Sequence, residues 1–179
     1  VSKQSLEKAA AQNADCFTTV SEITAVECSK FLDKDVDLVT PNGFENVFTP
    51  KEEEWKGKQK AGREKFLQVA QALLGRAVSE DALIVGISGR YEFKNKGIDV
   101  FIDALGQLNR DNELPREVLA FILVPGGHSG PNKELLHNME QPYQAVTSTN
   151  LYLTHYLSDP ANDPVMNRIR AQKLRNSEE

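Results

Sequence analysis

Residues 89–97, GRYEFKNKG, place four charged side chains between two glycines, directly after the apolar run ALIVGIS. Arg90 offers a planar fork of donors and Lys96 a mobile point charge, a pair that suits a diphosphate. Gly97 would allow the backbone to come close to such a ligand. The same loop can also be read as a solvated surface loop whose cations pair with Glu92, and the residues alone leave both interpretations open.

The elements around this loop follow from hydrophobic periodicity. DALIVGISG and EVLAFILVP, residues 81–89 and 117–125, predict buried strands of a parallel sheet covered on both faces. Between them, residues 97–109 place their apolar side chains on one face and predict an amphipathic helix. Ligands of such sheets bind beyond the carboxyl ends of the strands, and the exposed N–H groups and dipole of the next helix favour an anion.

Outside this unit the pattern alternates short strands with helices. Ser21 and Asp163 are expected to cap helices, with Pro164 at the first helical position. Asn42-Gly43 predicts a turn that tolerates left-handed conformations, and Gly75 is expected to end a long helix. The predicted helices cover residues 5–13, 21–32, 51–75, 133–139 and 163–175, and the predicted short strands lie within residues 14–21, 36–43 and 151–154.

Other candidate sites are weaker. The stretch VPGGHSGPN, residues 124–132, could form an anion nest, but it fits neither GxGxxG nor a P-loop, so a plain turn into the next helix is the preferred interpretation. No GxSxG nucleophile motif occurs. The histidines share no metal-ligand spacing, so we expect neither a metal nor a cofactor; they are His128, His137 and His155.

Composition excludes several classes of protein. The net charge of −5 argues against a nucleic-acid or membrane-surface binder, and the sequence contains no apolar run near 18 residues. Cys16 and Cys28 lie in apolar-periodic segments and are expected to be buried free thiols in a reducing, cytoplasmic setting. The polar start VSKQSLEKAA is not typical of a signal peptide, and because the chain begins mid-pattern with Val1 we expect it to be a piece of a longer protein.

Four blocks, in order, resemble the glycogen synthases of the animal and fungal type, glycosyltransferase family 3. They are ADCFTTVSEIT, VTPNGF, GRYEFKNKGIDVFIDAL and LTHYLSDPANDPVMNRIR. The resemblance implies an α/β fold of the GT-B type, with a Rossmann-like parallel sheet and flanking helices, incomplete in this chain. Residues 1–43 would end the N-terminal Rossmann-like domain and form the crossover, and residues 44–179 would begin the C-terminal, nucleotide-sugar-binding domain.

The resemblance also implies a reaction. The family transfers glucose from UDP-glucose to the non-reducing end of an α-1,4-glucan such as glycogen, with retention at the anomeric carbon and without a metal. Arg90 and Lys96 match the family's arginine and lysine that grip the donor diphosphate. No catalytic residue is assigned in this chain, and a homo-oligomer is expected for the parent protein. Further candidates for the donor site are Gly89, Gly97, Asn42 and Gly43.

Departures from the family define the alternatives. The family's Gly-rich donor loop and active-site histidine would precede Val1, and its paired glutamates would follow Glu179, so this segment alone is expected to be inactive. Residues 126–150 are much shorter than the helical insertion of animal and fungal members, which indicates a compact, bacterial-type member. The alternatives are another GT-B nucleotide-sugar transferase and a non-catalytic nucleotide- or glucan-binding module.

Overall fold

A computed structural model describes residues 2–111, 114–140, 152–174 and 176. The chain divides into two compact units, Val1–Lys51 and Glu52–Glu179, called here the N-terminal and the C-terminal unit. Both units mix helices with short parallel strand pairs, so the predicted α/β class is confirmed. Within the described residues, no helix combines the length and the apolar character needed to cross a membrane.

The N-terminal unit alternates helices with two very short strands. Its elements are α1 (Lys3–Gln12), β1 (Thr18–Thr19), α2 (Glu22–Leu32), β2 (Leu38–Val39) and a 3-10 turn at Asn46–Phe48. The strands β1 and β2 pair in parallel. The predicted cap of α2 is confirmed, because the Ser21 hydroxyl oxygen accepts a hydrogen bond from the Thr24 amide at 3.2 Å.

Two expectations for the N-terminal unit are wrong. Asn42 and Gly43 do not adopt left-handed backbone angles, because residues 40–45 run without a turn into the 3-10 segment. The thiols are not buried either: Cys16 is exposed and Cys28 half-buried. The physical reason is that two helices and two strands of two residues enclose little space, and among residues 2–51 only Ala11 is buried.

The C-terminal unit contains the longer elements. They are α3 (Glu52–Leu74), β3 (Leu83–Ser88), α4 (Ile98–Asp111), β4 (Val118–Leu123), β5 (His128–Pro131), α5 (Lys133–Glu140), β6 (His155–Leu157) and α6 (Pro164–Ala171). Gly75, with a φ of 65°, ends α3 as expected. The predicted strand–helix–strand unit is confirmed, since β3 and β4 pair in parallel from Leu83 opposite Val118 to Ser88 opposite Leu123.

The central strands are less covered than the apolar runs predict. Leu83 is 40% exposed and Leu123 48% exposed, so the expectation of a sheet covered on both faces is wrong for the described residues. The described sheet has two strands, and an apolar groove of about 500 Å³ runs along β4. The apolar sequence of β4 therefore lines an open groove where a covered core is expected.

Two small cores hold the C-terminal unit together. The first joins α3 to the strands through the buried residues Ala70, Val78, Ala82 and Leu119. In the second, Ile98 and Ile102 of α4 are completely buried and pack with Val165 of α6. The predicted apolar face of α4 is thus confirmed, and it joins α4 to both the sheet and α6.

Three predictions in the last third of the chain need correction. Residues 124–132 contain strand β5, because the backbone there pairs with β6 in antiparallel fashion. The strand expected at residues 151–154 lies at His155–Leu157 instead, and Leu151 is outside the described residues. Helix α6 starts as predicted but ends at Ala171, because Lys173 adopts a left-handed φ of 55°.

Candidate functional site

The loop of residues 89–97, called here the 89–97 loop, lies where the sequence analysis expects a ligand. It leaves the carboxyl end of β3 and leads into α4. The Gly89 amide donates to the Leu123 carbonyl at 3.3 Å, so the loop begins beside the carboxyl end of β4. Because β3 and β4 are parallel, both strands end at the same edge of the sheet, the position typical of ligand sites in α/β proteins.

Both glycines of the loop have backbone angles that other residues adopt at a cost. Gly89 has a φ of 151° and Gly97 a φ of 68°. The aliphatic stem of Lys96 lies 3.9 Å from the position of a Cβ on Gly89, which places Lys96 over the start of the loop. No described atom lies within 4 Å of a Cβ on Gly97, so the backbone there borders open space. The loop thus combines a fixed backbone with room for a ligand.

Arg90 has a partner in the structure. Its guanidinium Nη2 lies 3.1 Å from Glu92 Oε1, and the Arg90 side chain is 77% exposed. The surface-loop interpretation therefore describes this state of the loop correctly. An exposed pair of this kind is worth about 0–1 kcal/mol, so a ligand with more than one negative charge could replace the carboxylate at little cost.

The backbone amides at the start of α4 offer fewer free donors for an anion than the sequence predicts. The amides of Ile98 and Asp99, the first two of α4, donate to the Phe93 carbonyl at 3.1 and 3.3 Å. The Lys96 amide donates to the Glu92 carbonyl at 3.0 Å. The expectation that the first amides of α4 are free for an anion is wrong, because the loop folds back and caps its own helix. An anion at this place would depend on side chains and on the dipole of α4.

Tyr91 connects the loop to α6. Its hydroxyl donates to Asp163 Oδ2, and Asp163 Oδ1 accepts from the Met166 amide at 2.8 Å, which is the predicted cap of α6. Burial, followed by the hydrogen bond to Asp163, raises the pKa of Tyr91 well above its ordinary value. The hydroxyl therefore remains a donor. No local sequence pattern relates Tyr91 to Asp163, because the two residues lie 72 positions apart in the chain.

A second set of polar contacts joins α6 to α4. The Arg168 guanidinium donates from Nε to Asp103 Oδ1 at 2.6 Å and from Nη2 to Asp103 Oδ2. Gln172 Nε2 also donates to Asp103 Oδ1, at 2.6 Å. The hydrogen bond from Arg168 is the main cause that lowers the pKa of Asp103. Gly106 permits this close approach, since a Cβ there would overlap the Gln172 amide.

The other candidate residues lie elsewhere. Asn42 and Gly43 belong to the N-terminal unit, where both are exposed. The rings of His128 and His155 lie 4.6 Å apart on β5 and β6, and His137 lies on α5. Within the part of the chain that the structure describes, no group of three or more His, Cys, Asp or Glu residues could hold a metal ion.

Comparisons with known proteins agree with the four sequence blocks. A family model described as glycogen synthase matches residues 2–147. The glycogen [starch] synthase of Caenorhabditis elegans is 37% identical over 152 residues, covering 79% of this chain and 22% of the relative. The liver glycogen [starch] synthase of Homo sapiens is 32% identical over 73% of this chain and 20% of its own length.

The relatives are much longer than this chain. Isoform 1 of the glycogen [starch] synthase of Saccharomyces cerevisiae is 27% identical over 96% of this chain but only 33% of the yeast protein. The chain therefore spans about a third or less of the curated relatives it matches. The yeast alignment covers 234 positions, more than the 179 residues here, so it leaves gaps in this chain opposite yeast residues.

Proposed function

This chain belongs to the glycogen synthase family, and we propose that it supplies the diphosphate-binding part of a glucosyltransferase donor site. The reaction would move glucose from UDP-glucose to the non-reducing end of an α-1,4-glucan with retention. The observation that carries the proposal is the placement of Arg90 and Lys96. Both lie on one loop at the carboxyl end of β3, at the N-terminus of α4.

The chemistry explains why cations are needed there. The bond between the anomeric carbon and the diphosphate oxygen breaks, a bond from that carbon to the oxygen of an acceptor hydroxyl forms, and the hydroxyl proton is released. The electron pair of the broken bond stays on the departing UDP, so negative charge grows on the diphosphate. Arg90 and Lys96 would stabilise that charge in the transition state, which is electrostatic catalysis by fixed cations.

Glu92 pairs with Arg90 when no donor is bound. Without donor, its carboxylate holds the Arg90 guanidinium at 3.1 Å. When the diphosphate arrives, Arg90 would exchange one carboxylate for two phosphate groups. Because the amides of Ile98 and Asp99 already donate to Phe93, the exchange depends on the two cationic side chains.

We extend the proposal to the architecture. Residues 1–43 would close an N-terminal Rossmann-like domain of the GT-B type, and residues 44–179 would begin the C-terminal one; the compact units divide nearby, between Lys51 and Glu52. In such an arrangement the acceptor and donor groups converge from two domains, so turnover needs residues from both. The 179-residue chain is therefore expected to bind the donor diphosphate weakly and to transfer no glucose.

A UDP titration of this chain tests the proposal. Two charge-assisted contacts predict a dissociation constant in the millimolar range, since 1 mM corresponds to about 4.1 kcal/mol. Removing one such contact costs about 1.5–3 kcal/mol. Arg90→Ala should therefore weaken UDP binding about 10- to 150-fold, and Lys96→Ala by a similar factor.

Lys94→Ala is the matched control, because it removes a lysine from the same loop. It should leave UDP binding within about twofold, as expected for an exposed charge. Uridine, which lacks the diphosphate, should bind wild type and Arg90→Ala equally. Equal UDP binding by wild type and Arg90→Ala would refute the proposed function.

The alternatives are tested on the longest natural form of the protein. UDP binding without glucose transfer would favour the non-catalytic binding module. Transfer from another nucleotide sugar would favour a different GT-B transferase.

A further inference from the structure

The 89–97 loop is anchored by the residue next to its arginine. Arg90 points to solvent, whereas Tyr91 is half-buried and packs against the core of Ile98, Ile102 and Val165. The ring carbons of Tyr91 also lie 3.8 Å from the position of a Cβ on Gly126. The Tyr91 ring is therefore held between α4, α6 and the segment that follows β4.

The hydroxyl of Tyr91 fixes the remaining freedom of the ring. It donates to Asp163, which is 9% exposed and lies 72 residues further along the chain. Each Asp163 oxygen has a separate task, because Oδ1 caps α6 at the Met166 amide and Oδ2 accepts from Tyr91. One buried carboxylate thus joins the start of α6 to the residue beside Arg90.

We propose that Tyr91 and Asp163 are positioning residues that hold the 89–97 loop in the conformation in which Arg90 and Lys96 reach the same diphosphate. This inference rests on the proposed function. Neither residue needs to touch the ligand. Burial and the hydrogen bond to Asp163 raise the pKa of Tyr91, so its hydroxyl remains protonated and available as a donor.

The reason for expecting an effect on binding lies in the loop's own geometry. The Lys96 amide donates to the Glu92 carbonyl, and the first two amides of α4 donate to the Phe93 carbonyl, so these bonds tie the loop to itself and to the start of α4. A loop tied in this way can still tilt against the sheet, and a tilt would move both cations together. The hydroxyl link to α6 opposes that tilt, so its loss should reduce the affinity for a diphosphate more than the overall stability.

The test uses Tyr91→Phe with Tyr152→Phe as the matched control. Tyr152 is also half-buried in the C-terminal unit, and its hydroxyl donates to the Leu174 carbonyl at 2.9 Å. Each variant loses one hydroxyl and keeps its ring. Tyr91→Phe should weaken UDP binding about two- to thirteenfold, which is the range expected for the net contribution of one hydrogen bond. Tyr152→Phe should leave UDP binding within about twofold, and uridine binding should not change in either variant.

Asp163→Ser provides the second arm. A serine remains a good helix cap for the Met166 amide, but its shorter side chain lacks the second oxygen that accepts from Tyr91. If the two residues act through their hydrogen bond, Asp163→Ser should weaken UDP binding as Tyr91→Phe does. The double variant should then be no weaker than either single variant.

The outcomes separate this inference from the proposed function. If Arg90→Ala weakens UDP binding and Tyr91→Phe does not, the positioning role is overturned and the proposed function stands. Additive losses in the double variant would also overturn it, because the residues would then act independently. A lower melting temperature with unchanged UDP affinity would show a structural role alone. If neither Arg90→Ala nor Tyr91→Phe changes UDP binding, both proposals fail.

Discussion

Both units of this chain contain sequence blocks typical of the family, but the side chains around these blocks are buried to different extents in the two units. In the C-terminal unit the 89–97 loop is held by fully buried Ile98 and Ile102 and by a polar link to α6. In the N-terminal unit the block with Asn42 and Gly43 lies among exposed side chains, and apolar residues such as Ile23 are 76% exposed. The 89–97 loop is thus supported by buried side chains, whereas the block with Asn42 and Gly43 is not.

The largest change in the free energy of unfolding should come from removing a buried side chain in the C-terminal unit. Ile102→Ala in α4 should lower the free energy of unfolding by about 2–5 kcal/mol, because it leaves a cavity beneath the loop. Ile23→Ala in α2 should change it by less than about 0.5 kcal/mol, because that side chain is already in solvent. Urea unfolding followed by circular dichroism measures both. Equal losses would mean that the N-terminal unit has a core comparable to that of the C-terminal unit.

The two motif glycines sharpen the comparison at the backbone. Gly97 has a φ of 68°, so Gly97→Ala should cost about 1–2 kcal/mol through steric strain. Gly43 has no such angle and no described atom within 4 Å of an added Cβ, so Gly43→Ala should cost less than about 0.5 kcal/mol. Thermal unfolding of the two variants decides the point. A Gly43→Ala variant that is the less stable of the two would contradict the difference between the blocks.

Lowering the pH should reduce the stability that the contact between Asp103 and Arg168 gives to the C-terminal unit. The hydrogen bond from Arg168 lowers the pKa of Asp103 below its ordinary 3.8. A lowered pKa means that the contact stabilises the fold fully above the ordinary value and is lost as pH falls through the lowered one. Melting temperatures should therefore fall as the pH drops below about 4, and less steeply in Asp103→Asn.

The control for this acid effect is Asp15→Asn in the N-terminal unit, where Asp15 is exposed. This variant should follow the pH profile of the wild type. If Asp103→Asn also follows the wild type, the contact between α4 and α6 does not contribute to acid sensitivity.

The smallest effect concerns Glu92. Its pair with Arg90 is worth about 0–1 kcal/mol, so Glu92→Gln should tighten UDP binding by no more than about fivefold. The tightening follows because the variant removes a competitor for the guanidinium. Calorimetric titration of the variant with UDP measures it. Weaker binding would mean that Glu92 orients Arg90 for the ligand.

Sequence reasoning succeeded where periodicity and turn chemistry act locally. The apolar face of α4, the cap of α6 by Asp163 and the parallel pairing of β3 with β4 are all as expected. These features depend on residues a few positions apart, or on adjacent strands with a helix between them.

Several failures share a physical cause, which is contact between residues far apart in the chain. The Tyr91–Asp163 hydrogen bond and the β5–β6 pair join residues that no local pattern relates. The Phe93 carbonyl, which occupies the first amides of α4, depends on how the loop folds back. The exposure of Leu83 and Leu123 depends on what else covers the sheet, and an apolar run cannot specify it.

The most direct test of donor binding by the 89–97 loop is to follow the backbone amide signals of this chain by heteronuclear NMR during a UDP titration. We expect the largest shifts in residues 89–97 and at the carboxyl end of β4, and we expect Arg90→Ala to move these shifts to UDP concentrations about 10- to 150-fold higher. Shifts of similar size with inorganic pyrophosphate and none with uridine would identify the diphosphate as the bound group. Shifts confined to the N-terminal unit, or no shifts with UDP at all, would contradict the claim that this loop binds the donor.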